Sequence, residues 1–94
     1  MSSFRVSIKL LESRVADLNE ITGNAAAPWS RVDGKPRANV GTYYLDQAYG
    51  GVYLAQMTTE SGGTSCPLGY VRHTKAEMLE ILDAALWGYR LAKA

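Results

Sequence analysis

The sequence predicts an α+β fold: an N-terminal helix, a small antiparallel sheet (a hairpin or a three-stranded meander) and a C-terminal helix. Three observations predict it. Apolar residues at helical spacing open the chain, two strand-like runs separated by glycines fill its middle, and a helix-capping signature precedes a second helical stripe near its end. No repeat, linker or low-complexity tract divides it, so residues 1–94 read as a single domain.

The first helix rests on Phe4, Ile8, Leu11, Val15, Leu18 and Ile21, whose spacings of three and four residues put them on one stripe. Ser2 or Ser3 is placed to cap its start and Gly23-Asn24 to stop it, which predicts a helix over about 4–22. Pro28 then resists helix, and Trp29 is large enough to be expected to pin this connection onto the core. In Ser30 to Arg37 the Asp33-Gly34 pair signals a two-residue turn, and Pro36 confines any strand to a sheet edge, so a short exposed ribbon is expected.

Residues 40–48 and 52–59 alternate as two strands joined through Tyr49-Gly50-Gly51. Alternation groups Tyr43, Leu45 and Gln47 against Tyr44, Asp46 and Ala48, and Val52, Leu54 and Gln56 against Tyr53, Ala55 and Met57. Ser61 to Thr64 marks a further turn, and Ser65 to Val71 offers a short third strand interrupted by Pro67 and Gly69. Thr74-Lys-Ala-Glu77 is a capping box, opening a helix over 75 to about 91. Met78, Leu82, Ala85 and Tyr89 form its stripe, widened by Ile81, Leu86 and Trp87. Gly88 interrupts it at a cost of about 1 kcal/mol relative to alanine, which a close helix crossing offsets.

Composition narrows the function classes. Hydrophobic residues make up 47% and charged residues 20%, near globular averages, so the chain folds rather than staying disordered. The net charge of +1 excludes recognition driven by many phosphates, so duplex DNA is not an expected partner. The single cysteine, Cys66, and single histidine, His73, leave neither an intrachain disulfide nor a Cys/His zinc site, and no cofactor is implied. No apolar run approaches the ~18 residues of a membrane span, and no signal-peptide pattern is present, so a cytoplasmic location is expected. Catalytic signatures are absent: there is no Gly-x-Ser-x-Gly elbow, no phosphate-binding glycine loop and no metal pattern. Asp46 and Glu60 read as solvated carboxylates, and the chain reads as a non-enzyme.

Three clusters are candidates for recognition. Four tyrosines and three glycines lie between Asn39 and Met57, and Tyr44 and Tyr49 are the ones read as stacking surfaces. Arg31, Lys35 and Arg37 surround the Asp33-Gly34 turn beside Trp29, as phosphate or carboxylate contacts. Arg72 and His73 precede the capping Thr74, where the open N–H groups of a helix start favour an anion. Each has a plainer reading: cross-strand packing for the tyrosines, an ordinary charged turn, and a solvated loop beside a cap.

The run Arg37-Ala-Asn-Val-Gly-Thr-Tyr-Tyr-Leu-Asp-Gln-Ala-Tyr-Gly-Gly-Val-Tyr-Leu54, followed by Glu60-Ser-Gly-Gly63 and the Thr74-Lys-Ala-Glu-Met-Leu79 helix start, resembles small proteins of tailed bacteriophages and prophages. The resemblance covers about residues 25–92 and implies expression in a bacterial cytoplasm. It transfers no catalytic residue, because no activity is established for those proteins. Small phage proteins without enzymatic signatures often act on host defence. This association leads to a protein that binds and sequesters a nucleotide-derived immune signal through Arg31, Arg37, Tyr44, Tyr49, Arg72, His73 and Thr74. The alternative is an inhibitor of a defence complex such as CRISPR, using the tyrosine hairpin as a protein-binding surface. A chain this short builds a small core, so a homo-oligomer is expected in either case, joined through one of the helices with Gly88 permitting close approach.

Overall fold

A tight Asp-Gly turn, a glycine-tipped hairpin and two capped helices account for the observed architecture. The computed structural model describes residues 6–48, 50–69 and 71–93. In chain order it contains α1 (Ile8–Ile21), β1 (Trp29–Val32), β2 (Lys35–Ala38), β3 (Tyr43–Ala48), β4 (Gly51–Met57), β5 (Thr64–Ser65) and α2 (Lys75–Lys93). The strands form two antiparallel sheets, one of β1 and β2 and one in the order β3-β4-β5. The α+β expectation is met.

α1 begins later than the sequence suggested. Its N-cap is Ser7, in extended conformation, whose hydroxyl accepts the Leu10 N–H at 3.2 Å. Ser2, Ser3 and Phe4 lie outside the described residues, but Val6 and Ser7 are not helical, so the start moves to Ile8. The reason is local: a serine three residues before Leu10 satisfies a first-turn N–H that no nearer side chain reaches. The stop is as expected: Asn24 N–H bonds to Asn19 carbonyl at 2.8 Å around Gly23, whose φ is +76°. α2 opens with the expected capping box, Glu77 N–H to Thr74 hydroxyl at 3.1 Å and Thr74 N–H to Glu77 carboxylate at 2.9 Å.

Both helices cover one face of the three-stranded sheet. Leu11, Val15 and Leu18 of α1 and Met78, Leu82 and Leu86 of α2 enclose Val52 and Leu54 of β4, with Tyr43 and Leu45 of β3 packed against them. Each such side chain contributes about 1.5–3 kcal/mol through burial. The Arg14–Asp83 ion pair at 2.7 Å ties the two helices at their surface. α2 departs from the expected stripe at its far end, where Trp87 is 65% and Leu91 55% exposed. Trp87 falls on the side of the helix turned away from Leu82 and Leu86, so it does not widen the core stripe.

The hairpin is tighter than expected. Ala48 pairs with Gly51, leaving a two-residue turn, and Gly51 is the first residue of β4 rather than part of the loop. A Cβ at Gly51 would stand 2.4 Å from the His73 carbonyl, so only glycine admits the approach of that segment. The third strand is shorter than expected. Only Thr64 and Ser65 pair with β4, after which Cys66 to Gly69 turn away and His73 returns as a single antiparallel bridge to Val52. Pro67 has no N–H for a ladder, and Gly69 adopts φ +88°.

β1 and β2 form the expected ribbon, turning at Asp33 (φ 53°) and Gly34 (φ 76°), the pair of positive angles of a type I′ turn. Trp29 does not reach the core. It stays 46% exposed, and its indole lies over Gly62, where an added Cβ would stand 2.7 Å from Cη2. The ribbon diverts it: paired with Ala38, Trp29 reaches the 59–63 turn instead of the helices.

Candidate recognition site on the tyrosine hairpin

Arg72 is the centre of a polar cluster at one end of the hairpin. Its guanidinium donates to Asp46 Oδ1 at 2.8 Å, to the Asp46 carbonyl at 3.1 Å and to the Gly51 carbonyl at 3.2 Å, and lies 4.4 Å from the centroid of the Tyr53 ring. Register places Asp46 opposite Tyr53, so one side chain clasps both strands and stacks on the second. Partial desolvation and the hydrogen-bonded Asp46 carboxylate push the Tyr53 phenol above its ordinary value. These contacts commit Arg72 to holding the hairpin together.

At the start of α2, the expected anion site, a carboxylate of the chain itself is already present. Glu77 takes the Thr74 N–H, and the hydrogen bonds from Thr74, together with the nearby His73, hold its carboxyl below the ordinary glutamate value. His73 is held by its backbone, which exchanges two hydrogen bonds with Val52 at 2.8 and 2.9 Å.

The basic cluster of the ribbon is split by its register. Ser30 opposes Arg37 and Val32 opposes Lys35, so Lys35 and Arg37 share one face while Arg31 and Trp29 share the other. Arg31 donates to the Gly34 carbonyl at 3.0 Å, and Arg37 pairs with Glu60 at 2.9 Å across an open dish of about 560 Å³. Tyr44 stands elsewhere, on a groove of about 320 Å³ between α1 and the outer strand β3. Tyr49 lies outside the described residues. The structure therefore joins Arg72, His73 and Thr74 at one corner of the sheet, while Tyr44 and Arg37 line separate grooves.

The groove beside Tyr44 contains a residue that sequence reasoning missed. Asn19, only 2% exposed, donates its side-chain amide to the Tyr43 carbonyl at 3.0 Å and accepts the Tyr43 N–H at 2.8 Å. It completes the outer edge of β3 as a neighbouring strand would. The signal was present: Asn19 follows Val15 by four residues and Leu18 by one, a polar side chain on the edge of an apolar stripe. Tyr43 itself is half-buried, and burial together with Tyr89 raises its phenol above the ordinary value.

No group of side chains among the described residues is arranged to hold a metal ion. No helix among them is long and apolar enough to cross a membrane. No protein-family model, curated protein or solved structure matches the chain.

Proposed function

We propose that this chain is a non-enzymatic protein-binding module, a phage host-interaction protein that occludes a component of a bacterial defence complex through its tyrosine hairpin. The observation that carries this reading is the open groove between α1 and β3, where Tyr44 and Gln47 of the strand face Glu12 and Ala16 of the helix. Aromatic anchors beside a partly apolar groove suit a protein partner, and the Arg72 clasp supplies the rigidity that limits the entropic cost of binding. Affinity purification from host bacteria tests it, with Tyr44→Ala as the control. Recovery of one stoichiometric protein by the native chain and its loss with Tyr44→Ala support the reading; equal recovery by both removes the hairpin from it.

Sequestration of a nucleotide-derived immune signal is the second reading, favoured by the pairing of Lys35 and Arg37 on one face of the ribbon. Such a ligand must displace Glu60 from Arg37. Titration calorimetry against a panel of cyclic oligonucleotides and NAD-derived nucleotides is decisive: no heat with any of them ends this reading.

A second copy of the chain has a separate place in the proposal. Trp87 and Leu91 stand four residues apart on an exposed side of α2, and the space around Gly88 is open. Light scattering at micromolar concentration is expected to give a multiple of 10.2 kDa that Trp87→Glu reduces to the monomer. A native monomer refutes the assembly.

A further inference from the structure

The hydrogen-bond pattern of the hairpin fixes which backbone groups of β3 are vacant. Tyr43 pairs with Gln56 in register, yet both its N–H and its carbonyl bond to Asn19, so they point away from β4. Val52, which pairs with Gln47, likewise spends its N–H and carbonyl on His73 on the far side of β4. In an antiparallel pair these outward residues recur every second position. Leu45 and Gln47 therefore direct their N–H and carbonyl groups out of the sheet from β3, its outermost strand, where no partner meets them among the described residues.

These groups open into the groove against α1, whose wall has a defined chemistry. Asn19 stands beside Tyr43; with a helical rise of about 1.5 Å and a strand rise of about 3.3 Å, Ala16 then falls near Leu45 and Glu12 near Gln47. Val15 and Ala16 make that wall small and apolar, and Glu12 makes its end acidic, with no ion pair of its own among the described residues. We propose, resting on the protein-binding reading above, that the outer edge of β3 is a strand-addition site. It accepts an extended segment of a partner protein that pairs with Leu45 and Gln47, packs a small apolar residue on Val15 and Ala16, and directs a lysine or arginine at Glu12.

The geometry selects a partner over a second copy. Two β3 edges joined antiparallel across a two-fold axis carry their α1 helices on the same face of the continuous sheet, which sets Glu12 against Glu12 and lets the edges pair only through Leu45 and Gln47, since Asn19 holds Tyr43. A partner strand with a basic residue gains at the point where a copy is repelled.

The probe is a displayed library of random extended peptides panned on the full chain, followed by a synthetic peptide of the enriched pattern. The enriched pattern is expected to carry a small apolar residue and, two positions away, Lys or Arg. Binding should slow exchange of the Leu45 and Gln47 amides by about tenfold or more. Gln47→Pro removes one vacant N–H without touching the bonds to β4, and should weaken binding about tenfold with an unchanged melting temperature. N-methylating alternate amides of the peptide gives the same loss on the native protein, which keeps the test valid if the proline variant unfolds. Equal binding by the N-methylated peptide, enrichment of no pattern, or a sedimentation coefficient that drops with Gln47→Pro overturns the proposal, the last by showing a copy on the edge. Loss of the host partner with Tyr44→Ala but not with Gln47→Pro overturns strand addition alone and leaves the protein-binding reading standing.

Discussion

The chain contains two antiparallel hairpins, a short one of β1 and β2 and a longer one of β3 and β4, that differ in almost every energetic respect. β3 and β4 bury Val52, Leu54, Ala55 and Met57, are clasped by Arg72 and are capped at one edge by Asn19, whereas β1 and β2 bury only Ala38. Both close on tight turns that use a positive-φ glycine, Gly34 in one and Gly50 in the other. Turn chemistry thus makes a hairpin, but a helix pair above it makes a core. On the protein-binding proposal, the supported hairpin holds the recognition surface in fixed geometry, while the ribbon splits its cations between two faces.

Truncation should separate the two ribbons most sharply. Leu54→Ala, in the centre of the core, is expected to cost about 2–5 kcal/mol in urea unfolding. Arg72→Ala removes the clasp from a partly exposed pair and should cost about 1–2 kcal/mol, with the loss appearing in the hairpin amides before the helices in hydrogen exchange. Glu77→Gln tests the cap by its pH dependence. The folded-state carboxyl is held below its ordinary value, so its contribution is present above that value and is lost as pH falls through the lowered one. The melting temperature of Glu77→Gln should lie below that of the native chain at pH 7, and the two should converge on acidification. Val32→Ala, on the ribbon, should change stability by less than about 0.5 kcal/mol. A ribbon substitution that matched Leu54→Ala would end the distinction.

Much of the fold was legible because its signals are local. The Asp33-Gly34 turn, the Gly23-Asn24 stop and the Thr74 to Glu77 capping box each state their geometry within four residues. The hairpin alternation likewise placed Val52 and Leu54 on one face, against Tyr53 and Ala55 on the other. What escaped depends on distant partners. Nothing near Trp29 says that its indole will rest on Gly62. The candidate site was least legible: Arg72 reads as a free cation in sequence, and only its contact with Asp46, 26 positions away, shows that the fold uses it. Asn19 and Tyr43, 24 residues apart, define the vacant edge in the same non-local way.

Site-specific photocrosslinking in growing host bacteria tests the central claim, that the supported hairpin and not the ribbon meets the partner. A benzoylphenylalanine at position 47, on the outer edge of β3, and one at position 32, on the ribbon, are compared in otherwise native chains. The account predicts a single crosslinked host protein from position 47 and none from position 32. Crosslinks from position 32 alone would contradict it.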